Sequence, residues 1–122
     1  MLTYEDRDKN ILSHILEYCE QIEKCFLKFG NSHEDFLSDV VFRNALSMPV
    51  FQIQELSIHL SDEFKEMTKD EIPWKDLRGM RNLFAHNYLE MDIEIIWEAA
   101  TEDVPHLKEF CETQLKLFDE AD

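Results

Sequence analysis

The chain has 122 residues, of which 44% are hydrophobic and 32% charged, as in one globular domain rather than two. Two glycines and three prolines are too few turn formers for a sandwich or barrel of many short strands. The formal net charge of −15 argues against a protein that wraps DNA over a broad basic face.

The first third of the chain predicts two helices. Apolar residues recur at spacings of three and four over 6–29, which is typical of a helix with one buried face. Gly30 follows where a helix C-cap would place it. Ser32 and Asp35 then resemble a capping arrangement, which predicts a short helix through about Leu37.

A long central helix is predicted over 39–67, because this segment is apolar around most of its circumference. Pro49 lies inside it and should kink it, since proline lacks the backbone N–H that the helix needs. Pro73 suits the first turn of a third helix, which is predicted over 74–86.

Two further helices complete the chain. Asn87 can end the third helix in a left-handed conformation, Asp92 begins a fourth, and Pro105 indicates a restart and a last helix over 105–118. We find no internal repeat or linker, so residues 1–122 are expected to form a single domain. The predicted fold is an all-α, antiparallel bundle of four to five helices.

Residues 74–88 concentrate cationic and titratable side chains. At about 100° per residue, one face of the third helix carries the polar residues Arg78, Arg81, Asn82 and His86. The opposite face carries the apolar residues Leu77, Met80, Leu83 and Phe84. If the helical path persists, Tyr88 falls beside Arg81.

This polar face suits a phosphodiester. Arginine side chains match phosphate oxygens and stabilise charge that develops on phosphorus. A histidine can move a proton to or from a ribose hydroxyl or a leaving oxygen near neutral pH. RNA supplies its own nucleophile, the 2′-hydroxyl, so no metal is required. The structural alternative is that Arg78 and Arg81 pair with some of the 27 acidic residues and that His86 merely ends a helix.

Other candidate sites are weaker. Glu17, Glu20 and Glu23 recur every three residues, but no Glu-x-x-His motif accompanies them, so we interpret them as a solvated face. Asp103 and His106 have the spacing of one metal-binding edge, which alone is not a site. We therefore expect neither a metal nor a cofactor.

The three cysteines, Cys19, Cys25 and Cys111, form no CxxC pair and lack a histidine at an activating spacing. We interpret them as reduced, mostly buried thiols of a cytosolic protein. The N-terminal residues lack the apolar stretch of a signal peptide, and no apolar run approaches the ~20 residues that span a bilayer. The expected location is cytoplasmic, without a membrane partner.

Residues 81–88 read RNLFAHNY, which has the form R-N-x-x-x-H-x-Y. This pattern resembles the signature of the HepT-like branch of HEPN (higher eukaryotes and prokaryotes nucleotide-binding) domains. Residues 71–76 (EIPWKD) resemble the I-P-W segment of that family, and residues 52–56 (QIQEL) resemble its I-G-E segment. Residues 92–97 and 101–105 resemble its following helices, so the resemblance covers nearly the whole chain.

The resemblance implies a fold and a function. HepT-like proteins are α-helical homodimers that bring two R-x4-H motifs together at a cleft, and many are metal-independent ribonuclease toxins. They are encoded beside an MntA-like minimal nucleotidyltransferase, the antitoxin, which transfers AMP from ATP to the tyrosine of H-x-Y. The expected function is therefore an endoribonuclease toxin of a type VII toxin–antitoxin system, with RNA as substrate.

By position in the motif, Arg81 and His86 would be catalytic, Asn82 would be the polar residue that follows the arginine, and Tyr88 would accept AMP. The family often has glycine between the histidine and the tyrosine, where this chain has Asn87.

Arg78 and Lys75 would guide RNA into the cleft. The alternative is a non-catalytic subunit that binds a nucleotide or the nucleotidyltransferase, which suits the net charge of −15 better. A third hypothesis is a structural bundle whose arginines form only ion pairs.

Overall fold

The computed structural model describes residues 4–76 and 93–120, and the structural statements that follow concern those residues. Within these ranges the chain is helical and contains no strand, which confirms the predicted all-α class. The helices are α1 (Tyr4–Phe29), α2 (His33–Ser38), α3 (Val40–Ile58), α4 (Asp62–Thr68), α5 (Ile93–Glu98) and α6 (Val104–Glu120), with a π-helical segment, Ala99–Asp103, between the last two.

The first two helices begin and end close to their predicted bounds, because local capping groups fix them. Gly30 ends α1 with a φ of 86° and donates its N–H to the Phe26 carbonyl at 2.8 Å. A positive φ is readily available to glycine, so this turn follows from the residue type. Ser32 caps α2, since its Oγ accepts the Asp35 N–H at 3.3 Å.

The single long helix predicted over 39–67 is wrong, because α3 ends at Ile58 and α4 starts at Asp62. Ser61 accounts for the break. Its Oγ accepts the Phe64 N–H at 3.1 Å, as an N-cap does, and donates to Asp8 Oδ2 at 2.7 Å. Its backbone N–H donates to Asp8 Oδ1 at 2.8 Å, so the buried Asp8 carboxylate on α1 fixes the break.

The predicted restart near Pro105 is also wrong, because the backbone stays helical from Ile93 to Glu120. The chain passes Pro105 through the π-helical segment, in which the Val104 N–H donates to the Ala99 carbonyl, five residues back. A wider turn of this kind accommodates the missing proline N–H without ending the helix. Pro49 likewise lies buried inside α3; the kink remains a prediction.

The core lies where α1 packs against α3 and α6. Towards the C-terminal end of α1, an aromatic cluster surrounds Phe42 and contains Phe26, Phe29, Phe36 and Trp97. Towards its N-terminal end, a second cluster surrounds Phe64 and contains Trp74, Phe110 and Phe118. The second cluster holds the segment that precedes the predicted motif. None of the described helices is long and apolar enough to cross a membrane.

Candidate functional site

Most of the predicted site residues lie outside the residues that the structure describes. Arg78, Arg81, Asn82, His86 and Tyr88 fall between residues 76 and 93, outside the described residues, so their roles stay predictions. Lys75 is described and exposed, within the short helical stretch 74–76. The structure therefore shows how residues 71–76, which precede the motif, are positioned.

Trp74 anchors the chain just before the motif. Only 6% of this residue is exposed, and its Nε1–H donates to Thr68 Oγ1 at 2.9 Å. The Thr68 hydroxyl in turn donates to the Phe64 carbonyl at 2.8 Å. Ile72 is also buried, and its N–H donates to the Thr68 carbonyl at 3.1 Å. The segment that resembles I-P-W thus fixes the position of Lys75 by burial and side-chain hydrogen bonding.

A second contact joins this segment to the first turn of α6. His106 Nε2 lies 2.9 Å from the Glu71 carbonyl, which accepts the N–H of that ring nitrogen. This contact gives His106 a structural role instead of the metal-binding edge considered with Asp103. Burial raises the pKa of Asp103, and the carboxylates of Glu98, Glu102 and Asp76 raise it further.

The other metal-binding candidate was the series Glu17, Glu20 and Glu23 on α1, and two of these carboxylates contact basic side chains at the surface. Glu23 Oε1 pairs with Lys108 Nζ at 2.6 Å, and Glu17 lies 3.5 Å from His14 Nδ1. Within residues 4–76 and 93–120, no group of three or more His, Cys, Asp or Glu side chains is arranged to hold a metal ion.

The cysteines are free and buried, as predicted. Burial raises the pKa of Cys19 to about 12 and also raises the pKa values of Cys25 and Cys111. Because the thiolate is the nucleophile, these thiols are inert near neutral pH. The three cysteines therefore contribute packing rather than chemistry.

A cavity of about 640 Å³ lies next to Lys75, between the end of α3, helix α4 and residues 69–75; we call it the α4 cavity. Apolar groups of Ile58, Ile72, Pro73 and Trp74 line it. Its charged residues are Lys65, Lys69 and Lys75 together with Asp62, Glu66 and Asp70. The cavity thus combines an apolar lining with a mixed charged rim.

Two lysines of the α4 cavity, Lys69 and Lys65, differ in their hydrogen-bond partners. Lys69 Nζ contacts Glu66 Oε1 at 2.5 Å, and this hydrogen bond raises the pKa of Lys69 and lowers that of Glu66. Lys65 Nζ donates to the Ile58 carbonyl at 3.3 Å and lies 3.9 Å from Asp62 Oδ1, with 23% of its side chain exposed. Lys65 is therefore held at the cavity by a neutral carbonyl and by one long ion pair.

Comparison with known proteins gives consistent matches. The family model described as "Ribonuclease HepT-like" matches residues 15–114. The chain is 37% identical over 98 residues to "Putative RNase TTE0752" of Caldanaerobacter subterraneus subsp. tengcongensis, covering 80% of this chain and 84% of that protein. It is 33% identical over 105 residues to "Probable ribonuclease HepT" of Thermococcus cleftensis, covering 82% and 88%.

A third relative is longer. The chain is 33% identical over 114 residues to "Gamma-glutamylcyclotransferase and putative RNase MJ0434" of Methanocaldococcus jannaschii, covering 93% of this chain and 49% of that protein. No solved structure is significantly similar to the chain.

Proposed function

Because the chain belongs to the HepT-like ribonuclease family, we propose that it is a metal-independent endoribonuclease and the toxin of a type VII toxin–antitoxin system. The observation that supports this most strongly is that the family match over residues 15–114 includes the whole R-x4-H motif. The buried Trp74, whose Nε1–H donates to Thr68 Oγ1, anchors the chain seven residues before Arg81.

In the proposed reaction, the 2′-oxygen of ribose attacks the adjacent phosphorus and the bond to the 5′-oxygen of the next nucleotide breaks. His86 takes the proton of the 2′-hydroxyl or gives one to the leaving 5′-oxygen. Arg81 binds the phosphate and stabilises the charge that develops on it, and Asn82 orients the phosphate or the imidazole. The products are a 2′,3′-cyclic phosphate and a 5′-hydroxyl.

A homodimer would complete this site. One histidine cannot readily act as base and acid at once, whereas two histidines related by a two-fold axis can share the roles. Lys75 and Arg78 would guide RNA towards the cleft. With a net charge of −15, the protein is expected to make few phosphate contacts and therefore to show a shallow salt dependence of RNA binding.

Inhibition would act on the same motif. An MntA-like minimal nucleotidyltransferase would transfer AMP from ATP to the Tyr88 hydroxyl and release pyrophosphate. The added group places a bulky anion beside Arg81, where it occupies the phosphate site and repels RNA.

We expect replacement of Tyr88 by phenylalanine to abolish this modification. The test is the intact mass of the protein after incubation with the nucleotidyltransferase, ATP and Mg²⁺. The wild type should gain one or more AMP units and Tyr88→Phe none, while the control Tyr18→Phe should behave as the wild type. AMP addition to Tyr88→Phe at the wild-type level would show that the modified residue lies elsewhere.

The second candidate is a non-catalytic subunit that binds a nucleotide or the nucleotidyltransferase itself. The net charge of −15 favours it, since RNA is a polyanion. It predicts complex formation with the nucleotidyltransferase but no RNA cleavage by the isolated protein. Growth arrest on expression, relieved by the neighbouring gene, would instead favour the toxin.

A further inference from the structure

We propose that the α4 cavity is a subsite for one nucleotide of the substrate RNA, next to the phosphate that is cleaved. This inference rests on the proposed ribonuclease function, because it assigns a place to the strand that enters the R-x4-H motif. It adds residues that the motif does not contain, above all Lys65 and Ile58.

The position of the cavity supports this assignment. Lys75 lines the α4 cavity and precedes Arg78 by three residues and Arg81 by six. The helix that the sequence predicts over 74–86 would space these residues at intervals of about one turn, roughly 4.5 Å along its axis. A strand whose phosphate is bound by Arg81 would therefore reach Lys75 and the cavity with a neighbouring nucleotide.

The chemistry of the cavity matches a nucleotide. Its volume of about 640 Å³ lies within the ~300–1,000 Å³ usual for small-molecule sites. A base can contact the apolar lining formed by Ile58 and Pro73, while its phosphate contacts the ammonium groups of Lys65 and Lys75. The buried indole of Trp74, held by Thr68, keeps the inner wall of the cavity in place.

Lys65 is the residue best placed to bind that phosphate. Its contact with the Ile58 carbonyl holds the ammonium in one position, so little side-chain entropy is lost when an anion binds. The three carboxylates on the rim, Asp62, Glu66 and Asp70, disfavour a longer run of phosphates. The cavity is therefore suited to one nucleotide rather than to an extended strand.

The test uses a short RNA whose 2′-hydroxyls are all methylated, so that it binds without being cleaved. Lys65→Gln is expected to raise the Kd for this RNA about tenfold. It should also reduce the slope of log K against log salt by about 0.7, the value for one phosphate contact on a single strand. Ile58→Trp, which fills the cavity without changing charge, should weaken binding while leaving that slope unchanged. With unmodified RNA, Lys65→Gln should raise KM and leave kcat unchanged.

Lys108→Gln is the matched control. Lys108 has 27% of its side chain exposed, against 23% for Lys65, lies 2.6 Å from Glu23 Oε1, and does not line the α4 cavity. Equal affinities and salt slopes for Lys65→Gln, Lys108→Gln and the wild type would overturn the subsite even if RNA is cleaved. Binding that depends on Lys65 without any cleavage of unmodified RNA would instead overturn the proposed function and leave the subsite standing. A wild-type protein that neither binds nor cleaves RNA would contradict both.

Discussion

Replacement of His86 by alanine is expected to lower kcat/KM for RNA cleavage by about 10²–10⁴-fold, the usual contribution of a general acid or base. The reason is that no other residue of the motif can both take and give a proton near neutral pH. The measurement is the initial rate of cleavage of a labelled RNA, together with the circular dichroism of both proteins.

His14→Ala is the appropriate control for His86→Ala. His14 is exposed on α1, where it lies 3.5 Å from Glu17, and it has no place in the motif. Its removal should leave cleavage at the wild-type rate. If His86→Ala cleaves RNA as fast as the wild type while both retain their helical spectra, then His86 is not catalytic.

Replacement of Phe42 by alanine is expected to lower the free energy of unfolding by about 3–5 kcal/mol. Phe42 is fully buried, and its ring lies 5.1 Å from that of Phe29 and 5.5 Å from that of Phe36, between centroids. Its removal leaves a cavity among rings from α1, α2 and α5 that cannot collapse freely. Urea unfolding followed by circular dichroism measures the loss, which is a large share of the ~5–15 kcal/mol typical of a folded protein.

The neighbouring residue supplies the control for Phe42→Ala. Val41 is 59% exposed, so Val41→Ala should change the free energy of unfolding by no more than about 0.5 kcal/mol. Similar losses for the two variants would show that the Phe42 cluster does not dominate the stability of α3.

The sequence was sufficient to predict helices whose ends depend on local groups. Gly30 and the Ser32 cap were found because both act within a few residues. The break between α3 and α4 was missed, although Ser61 followed by two acidic residues is a local signal for a helix start. The break also depends on Asp8, which accepts the Ser61 N–H although it lies 53 residues earlier in the sequence.

Other features could not be predicted from periodicity. Pro105 resembled a helix start, whereas the π-helical segment before it carries the helix through. Gln54 has a polar side chain, yet only 1% of the residue is exposed. Neither its amide oxygen nor its amide nitrogen has a hydrogen-bond partner among the described residues. Hydrophobic periodicity alone does not distinguish such a residue from one that faces solvent.

The candidate site also has a part that the sequence predicts and a part that it does not. The family and the R-x4-H motif were predicted from residues 81–88, and the family match confirms the former. The roles of Arg81 and His86 remain predictions. The α4 cavity was not predicted, because it forms where α3, α4 and residues 69–75 meet and, among its residues, only Lys75 was expected to contact RNA.

The most direct test of the proposed function is cleavage of RNA by the purified protein in excess EDTA, with analysis of the product ends. We predict cleavage at an undiminished rate, with 2′,3′-cyclic phosphate and 5′-hydroxyl ends, and cleavage about 10²–10⁴-fold slower with His86→Ala. Loss of cleavage in EDTA, or products with 3′-hydroxyl and 5′-phosphate ends, would contradict attack by the 2′-hydroxyl without a metal.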